Sequence, residues 1–326
     1  MLQALCSSET RGSSNVEGPG PILVSDIPES CRKSDTGVML GIDEAGRGPV
    51  LGAMTYGCAY WHPDDADRIP KGFTDSKQLD KNTRDSLFSK LQSCPNMGFV
   101  LRILHASEIS RNMLRASPYN LNAMSHDSAM EMIQAVLDAG VKIDTAFIDT
   151  VGIPDSYRAK LEREFHGHNI KFVVEKKADA NYAPCSAASV VAKVSRDAIT
   201  EHWKWTEPGY EPVGGSSYGS GYPSDPKCKA WVGKNLVDPV FCFPDFVRFS
   251  WGPAKKAVKE NGVKVEWKAD EEDENGVRED HNQMKMNTFL QSVAKPNNSI
   301  APPKKRRRYE FFENMQLNAV TELVNL

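Results

Sequence analysis

The sequence predicts an α/β fold built on one mixed sheet, three antiparallel strands followed by parallel ones, flanked by helices and continued by a helical and loop-rich C-terminal extension. Three observations predict it. Two apolar runs joined by a glycine-containing turn are followed by a third, strand-like and helix-like segments then alternate, and 40% hydrophobic residues in a 326-residue chain can supply a large core.

Residues 1–35 are rich in Ser, Gly and Glu and lack hydrophobic periodicity, so they are read as a flexible N-terminal arm. The stretches VMLGID and PVLGAMTYGCAYW then read as two strands joined by the turn from Gly46 to Pro49, and GFVLRIL at 98–104 as a third. Between them, Leu87, Phe88 and Leu91 stand at helical spacing. Ala129, Ile133 and Val136 follow the same rule over 120–139, and Gly140 stands where a helix C-terminal glycine belongs. TAFID at 145–149 is a short buried strand, followed by a helix opened by Asp155 with Tyr157, Leu161 and Phe165 on one face. IKFVV at 170–174 is the next strand. A last helix starts near Ser186 and turns Ala187, Val191, Val194 and Ala198 inward. Residues 203–252 read as loops and short helices on the core. The sequence thus divides into the arm, a catalytic-type domain at 36–254, and an extension at 255–326.

Composition narrows the function classes. Forty Lys and Arg against 43 Asp and Glu leave a net charge of -3, so a nucleic-acid partner would be met by a local patch rather than by an overall basic surface. The seven cysteines lie far apart with no C-x-x-C pair, which disfavours a zinc site or a disulfide framework and predicts reduced thiols inside a cell. No apolar run approaches the length of a membrane span and no signal-peptide pattern opens the chain, so neither membrane insertion nor secretion is expected.

Strand ends are where α/β sheets present functional side chains. Asp43 and Glu44 end the first strand, Asp149 ends TAFID, and Asp179 lies just past IKFVV in KKADANY. Gathered in one place, four carboxylates repel and raise each other's pKa unless a cation neutralises them. All-oxygen ligands favour Mg²⁺ or Mn²⁺ over zinc, and two such ions about 3.5–4 Å apart would make a phosphodiester hydrolase. Taken singly, each residue has an ordinary alternative: surface ion pairs for Asp43 and Glu44, a helix cap for Asp149, a turn for Asp179. Ser189, Lys193 and Arg196 share a face of the last helix, opposite its apolar stripe, and are read either as a phosphate-binding face or as a solvated one. Lys77 in TDSKQL could meet a phosphate or be an ordinary loop lysine. Tyr218, between glycines, is read as an exposed ring for stacking on a nucleotide, with packing against the core as the alternative.

GIDEAGRGPVLG, DSKQL, NLNAMSHD, FIDTVG, KADANY, SAASVVAKVSRD and YGSGYPSDP, in this order over roughly 36–254, resemble the type 2 ribonuclease H family, which comprises ribonuclease HII and the catalytic subunits of eukaryotic ribonuclease H2. The resemblance implies an RNase H-like fold and cleavage on the 5′ side of ribonucleotides in RNA/DNA hybrids, including a single ribonucleotide embedded in duplex DNA. It implies that Asp43, Glu44, Asp149 and Asp179 bind the metal ions, and that Gly46, Arg47 and Gly48, with the tyrosine matched to Tyr218, recognise the ribose 2′-OH. It also implies two accessory subunits and roles in replication and ribonucleotide excision repair. A site that hydrogen-bonds a hydroxyl can reject the analogue lacking it by about 10⁴–10⁵. The competing readings are a DNA structure-specific nuclease on the same scaffold and a non-catalytic nucleic-acid-binding protein within a larger complex.

In the extension, Lys304, Lys305, Arg306, Arg307 and Arg308 resemble a nuclear import signal, so a nuclear location is expected, with a non-specific nucleic-acid-binding tail as the alternative. Gln283, Met286, Phe289 and Leu290 match the spacing of peptides that dock on the replication sliding clamp, although Leu290 stands where such peptides carry a second aromatic. The same stretch could pack against one of the accessory subunits.

Overall fold

The computed structural model describes residues 20–32, 36–73, 80–205, 207, 210–236 and 242–263, all within one compact unit. Lys77, the clamp-like peptide and the basic run lie outside the described residues. Six strands form one sheet: β1 (Ile22–Val24), β2 (Val38–Ala45), β3 (Met54–Trp61), β4 (Gly98–Leu104), β5 (Ile143–Asp149) and β6 (Lys171–Glu175), in spatial order β1-β4-β3-β2-β5-β6. The β1–β4, β4–β3 and β3–β2 pairs are antiparallel, and β2–β5 and β5–β6 are parallel. This is the mixed sheet that the sequence predicts, with β1 added at one edge.

That extra strand corrects the reading of 1–35 as an arm throughout. Ile22–Val24 pairs with β4, Cys31 of the short helix α1 (Glu29–Arg32) is buried, and the Gly20 amide donates to the Glu108 carboxylate at 3.0 Å. Three apolar residues in a polar context are too few to show a period, so only the partner strand reveals them.

Helices cover both faces. Leu40, Ile42, Cys58, Ala146 and Ile148 pack with Met124, Ile133 and Val136 of α4 (Leu121–Asp138) and with Tyr157 and Leu161 of α5 (Pro154–Glu164). α3 (Ala106–Leu114) completes that layer with Ile109. The other face buries Phe88 and Leu91 of α2 (Lys81–Gln92) beside Ala187, Val191 and Val194 of the long helix α7 (Ala183–Glu201). Each such fully buried apolar side chain contributes about 1.5–3 kcal/mol relative to exposure.

α7 departs from the one-stripe expectation. Every residue from Pro184 to Ala192 is buried, because the helix lies directly against the middle of the sheet. Gly41 and Gly57 make that approach possible: a Cβ on either would strike the helix backbone, at Cys185 and Ala188 respectively. The Thr55 hydroxyl donates to the Ala192 carbonyl at 2.9 Å and pins the contact. Before α7 the chain turns sharply at Lys177 (φ 60°) into one short helical turn, α6 (Ala178–Asn181), which carries Asp179.

A third cluster unites Tyr218, Trp231 and Phe246 around α8 (Pro226–Lys234) and α9 (Gly252–Asn261). α9 crosses the 254 boundary expected from the sequence. Among the described residues no helix is long and apolar enough to cross a membrane, and none of the six described cysteines forms a disulfide.

Candidate active site

Side chains alternate across a strand, so adjacent carboxylates at a strand end straddle the sheet edge. Asp43 shares its side of β2 with Gly41, against which α7 packs, while Glu44 continues the Leu40–Ile42 side toward α4. On the neighbouring parallel strand Ile148 is in register with Ile42, which sets Asp149 beside Asp43. One oxygen from each of Asp43, Glu44 and Asp149 lies within 4.8 Å of the others. Each aspartate also has an oxygen held by a backbone amide: Glu44 N donates to Asp43 at 2.7 Å, and Thr150 N to Asp149 at 3.2 Å.

Asp179 is not one of that close trio. It is buried in α6, whose first amide, Ala178 N, donates to Asp149 at 3.3 Å, and its charge acts on Asp43. The four carboxylates thus occupy one corner, three in mutual ligand range and the fourth adjoining.

The electrostatics of this corner are those of a cation site without its cation. Burial pushes Asp43 up to about 6, helped by the charges of Asp149 and Asp179 and opposed by the Ser189 hydroxyl and the Lys193 ammonium. Burial pushes Glu44 up to about 8, with Asp43 and Asp149 adding to the rise and Arg47 opposing it. Acidic oxygens with no nitrogen or sulfur among them are the donor set of a hard divalent ion, so these residues fit Mg²⁺ or Mn²⁺.

The three polar residues of α7 do not form one solvated face. Ser189 is fully buried, bonded to Asp43, and receives the Lys193 ammonium at 2.6 Å. Lys193 is half-buried and turned to the carboxylates. Arg196 is buried and donates to the Ser220 carbonyl at 2.9 Å. The cause is the burial of α7 on all sides, which the small Ala and Ser residues do not announce.

The glycine-arginine turn follows β2 directly. Gly46 has φ +82°, a conformation that favours glycine. Arg47 reaches across to α4, where Nη1 donates to Ser125 Oγ at 3.0 Å and Nη2 to Asn122 Oδ1. Sequence reasoning did not single out Asn122 and Ser125; the signal for them was their place in the motif NLNAMSHD.

The expected exposure of Tyr218 is corrected. It is 3% exposed, its ring packs 4.8 Å from that of Phe246, and its hydroxyl donates to the Thr200 carbonyl. Tyr222, four residues on and also preceded by glycine, is 41% exposed. Its ring lies where a Cβ on Gly48 would touch it, and 5.8 Å from the Arg196 guanidinium. The exposed aromatic beside the turn is therefore Tyr222, which sequence reasoning missed because both tyrosines of YGSGY look alike in spacing.

Fold and site together define a metal-dependent hydrolase of the ribonuclease H type. The sequence model of the family described as Ribonuclease HII matches residues 40–254. The corresponding ribonuclease H2 subunit of Homo sapiens is 44% identical over 258 residues, covering 78% of this chain and 84% of that protein. The crystal structure of the ribonuclease H2 from Pyrococcus horikoshii OT3 matches with a TM-score of 0.56 and 30% identity over 68% of this chain and 98% of that one. RNase HII in the structure of the PCNA:RNase HII complex from Archaeoglobus fulgidus matches with a TM-score of 0.55 and 26% identity, covering 70% and 98%. The chain belongs to the ribonuclease HII family and is a ribonuclease H.

Proposed function

We propose that this chain is the catalytic subunit of a ribonuclease H2 that hydrolyses the phosphodiester on the 5′ side of ribonucleotides, in RNA/DNA hybrids and where a single ribonucleotide is embedded in duplex DNA. The observation that carries the reading is the placement of three carboxylate oxygens within 4.8 Å, immediately before a turn shaped to approach a sugar. Asp43, Glu44 and Asp149 would hold two divalent ions, Mg²⁺ or Mn²⁺, with Asp179 beside them. Bound there, such ions supply an activated water and stabilise charge on the leaving oxygen.

The chain's own residues do the rest. Amides 44 and 150 orient Asp43 and Asp149, and Lys193, through Ser189, favours the ionised form of Asp43. Arg47, braced on Asn122 and Ser125, brings a fixed cation to the nucleic-acid backbone. Tyr222 offers the face on which a sugar or base can pack.

The relatives' names extend the proposal to partners. The human relative is named as one subunit of ribonuclease H2, which supports a multi-subunit assembly, here with two accessory subunits. The archaeal PCNA complex supports the clamp reading of Gln283, Met286, Phe289 and Leu290. The basic run at 304–308 supports nuclear import, consistent with work in replication and ribonucleotide excision repair. The test is cleavage of a duplex carrying one ribonucleotide and of its all-DNA counterpart, with Mg²⁺ and then with chelator. Cleavage of the first alone, abolished by chelator, is the expected result. Equal cleavage of both would favour a DNA nuclease, and cleavage of neither by the assembled protein would favour a non-catalytic role.

A further inference from the structure

The turn after β2 is held by a side chain that none of the sequence motifs contains. Arg248 is wholly buried, yet among the described residues no carboxylate pairs with it. Its donors go to backbone carbonyls: Nη2 to Gly46 at 2.7 Å, Nη1 to Arg47 at 3.2 Å and Nε to Gly52 at 2.9 Å. The Trp251 ring lies 4.9 Å from the guanidinium, and its indole N–H donates to the Gly48 carbonyl at 3.0 Å. Three consecutive carbonyls, 46 to 48, are thus all drawn to this pair of side chains.

The segment that supplies them is anchored in turn. Arg248 N donates to the Val50 carbonyl and Gly52 N to the Phe246 carbonyl, both at 2.8 Å. Burying a guanidinium without a counter-charge is costly, and an apolar side chain could fill the space more cheaply. What an apolar side chain could not do is set peptide planes. In a trans peptide the carbonyl and the following N–H point in opposite directions, so fixing the carbonyls of Gly46 and Arg47 aims the amides of Arg47 and Gly48 away from Arg248.

We propose that Arg248, with Trp251, is the positioning residue for ribose recognition: it locks the peptide planes of the Gly46–Gly48 turn so that two amides stand ready to donate to the 2′-oxygen of a ribonucleotide. The inference rests on the proposed function, in which this turn reads the sugar. Arg248 touches no substrate. It acts through the turn, as a pre-set donor array does at any site whose dipoles are fixed before reaction.

The test compares full-length wild type, Arg248→Gln, Arg248→Lys and Trp251→Phe in the assembly in which the wild type is active. Measured are kcat and KM on a duplex with one ribonucleotide, and the Mg²⁺-induced rise in melting temperature. Expected for Arg248→Gln is a kcat loss on the order of 10²-fold, with KM changed less than about threefold because phosphate contacts remain. Arg248→Lys recovers part of kcat, and Trp251→Phe, which keeps a ring but loses one donor, falls about tenfold. The Mg²⁺ response is retained in all. If Arg248→Gln does not fold, Trp251→Phe decides. Unchanged kcat in a folded variant would overturn the proposal, as would a kcat loss matched by loss of the Mg²⁺ response, which marks a merely structural role. A wild type that does not distinguish the ribonucleotide-bearing duplex from all-DNA would instead overturn the proposed function, and this inference with it.

Discussion

Glu44→Gln should make the metal-free protein more stable at alkaline pH while removing its response to metal. The Glu44 carboxyl, ordinarily near 4.5, is pushed up to about 8, chiefly by burial and then by Asp43 and Asp149. A carboxylate displaced upward is ionised less readily in the fold than in the unfolded chain. The folded state therefore binds more protons between those two values, and stability falls as pH rises through that window. At about 1.36 kcal/mol per tenfold change in proton affinity, the interval from pH 5 to pH 8 corresponds to roughly 3 kcal/mol, or about 2 kcal/mol after discounting for partial solvent access. For a domain of this size that is about 4–8 °C in Tm. The assay is thermal unfolding in chelator at pH 5 and pH 8, for wild type and Glu44→Gln. The wild type should lose that much more stability across the interval than the variant. Adding Mg²⁺ at pH 8 should restore the wild type, by about 2.7 kcal/mol at a hundredfold excess over Kd, and the variant much less. Equal pH dependence in the two proteins, or a full Mg²⁺ response in the variant, would refute the reasoning.

Asp149→Asn should abolish cleavage while leaving substrate binding and the sheet intact, checked by single-turnover cleavage beside a binding titration. Tyr222→Ala should weaken binding of a ribonucleotide-bearing duplex about tenfold, the worth of one stacking contact. Tyr218→Phe should leave that affinity alone and cost about 1 kcal/mol of stability, since it removes only the buried bond to Thr200. Asn122→Ala with Ser125→Ala should free the Arg47 guanidinium and lower kcat/KM by up to about 10²-fold, as expected when a charged group loses its position. Gly41→Ala should destabilise the fold by about 1–3 kcal/mol or more, measured by denaturant unfolding, because its methyl group would push against the α7 backbone.

Much of this architecture was legible because it follows from local pattern. The apolar runs that become β2 to β6 declare themselves by content, and the acidic residues at the ends of β2 and β5 by position. What stayed hidden depends on partners distant in sequence. β1 is three apolar residues whose role exists only beside β4. The burial of Ser189 follows from glycines at 41 and 57, which read as weak strand residues until α7 is laid on them. Tyr218 and Tyr222 are separated by a choice that spacing cannot make, decided where Gly219 and Gly221 take φ of +64° and +77° and turn one ring in and the other out. Arg248 is 202 positions from Gly46, whose carbonyl it binds, and nothing in FVRFSW marks its arginine as buried.

That folding gathers these carboxylates to hold divalent ions is tested most directly by crystals soaked in Mn²⁺ and measured at its absorption edge. Anomalous density is expected about 2.1 Å from oxygens of Asp43 and Asp149, and should be lost in Asp149→Asn. Strong manganese peaks elsewhere on the protein, with none at this corner, would contradict the assignment.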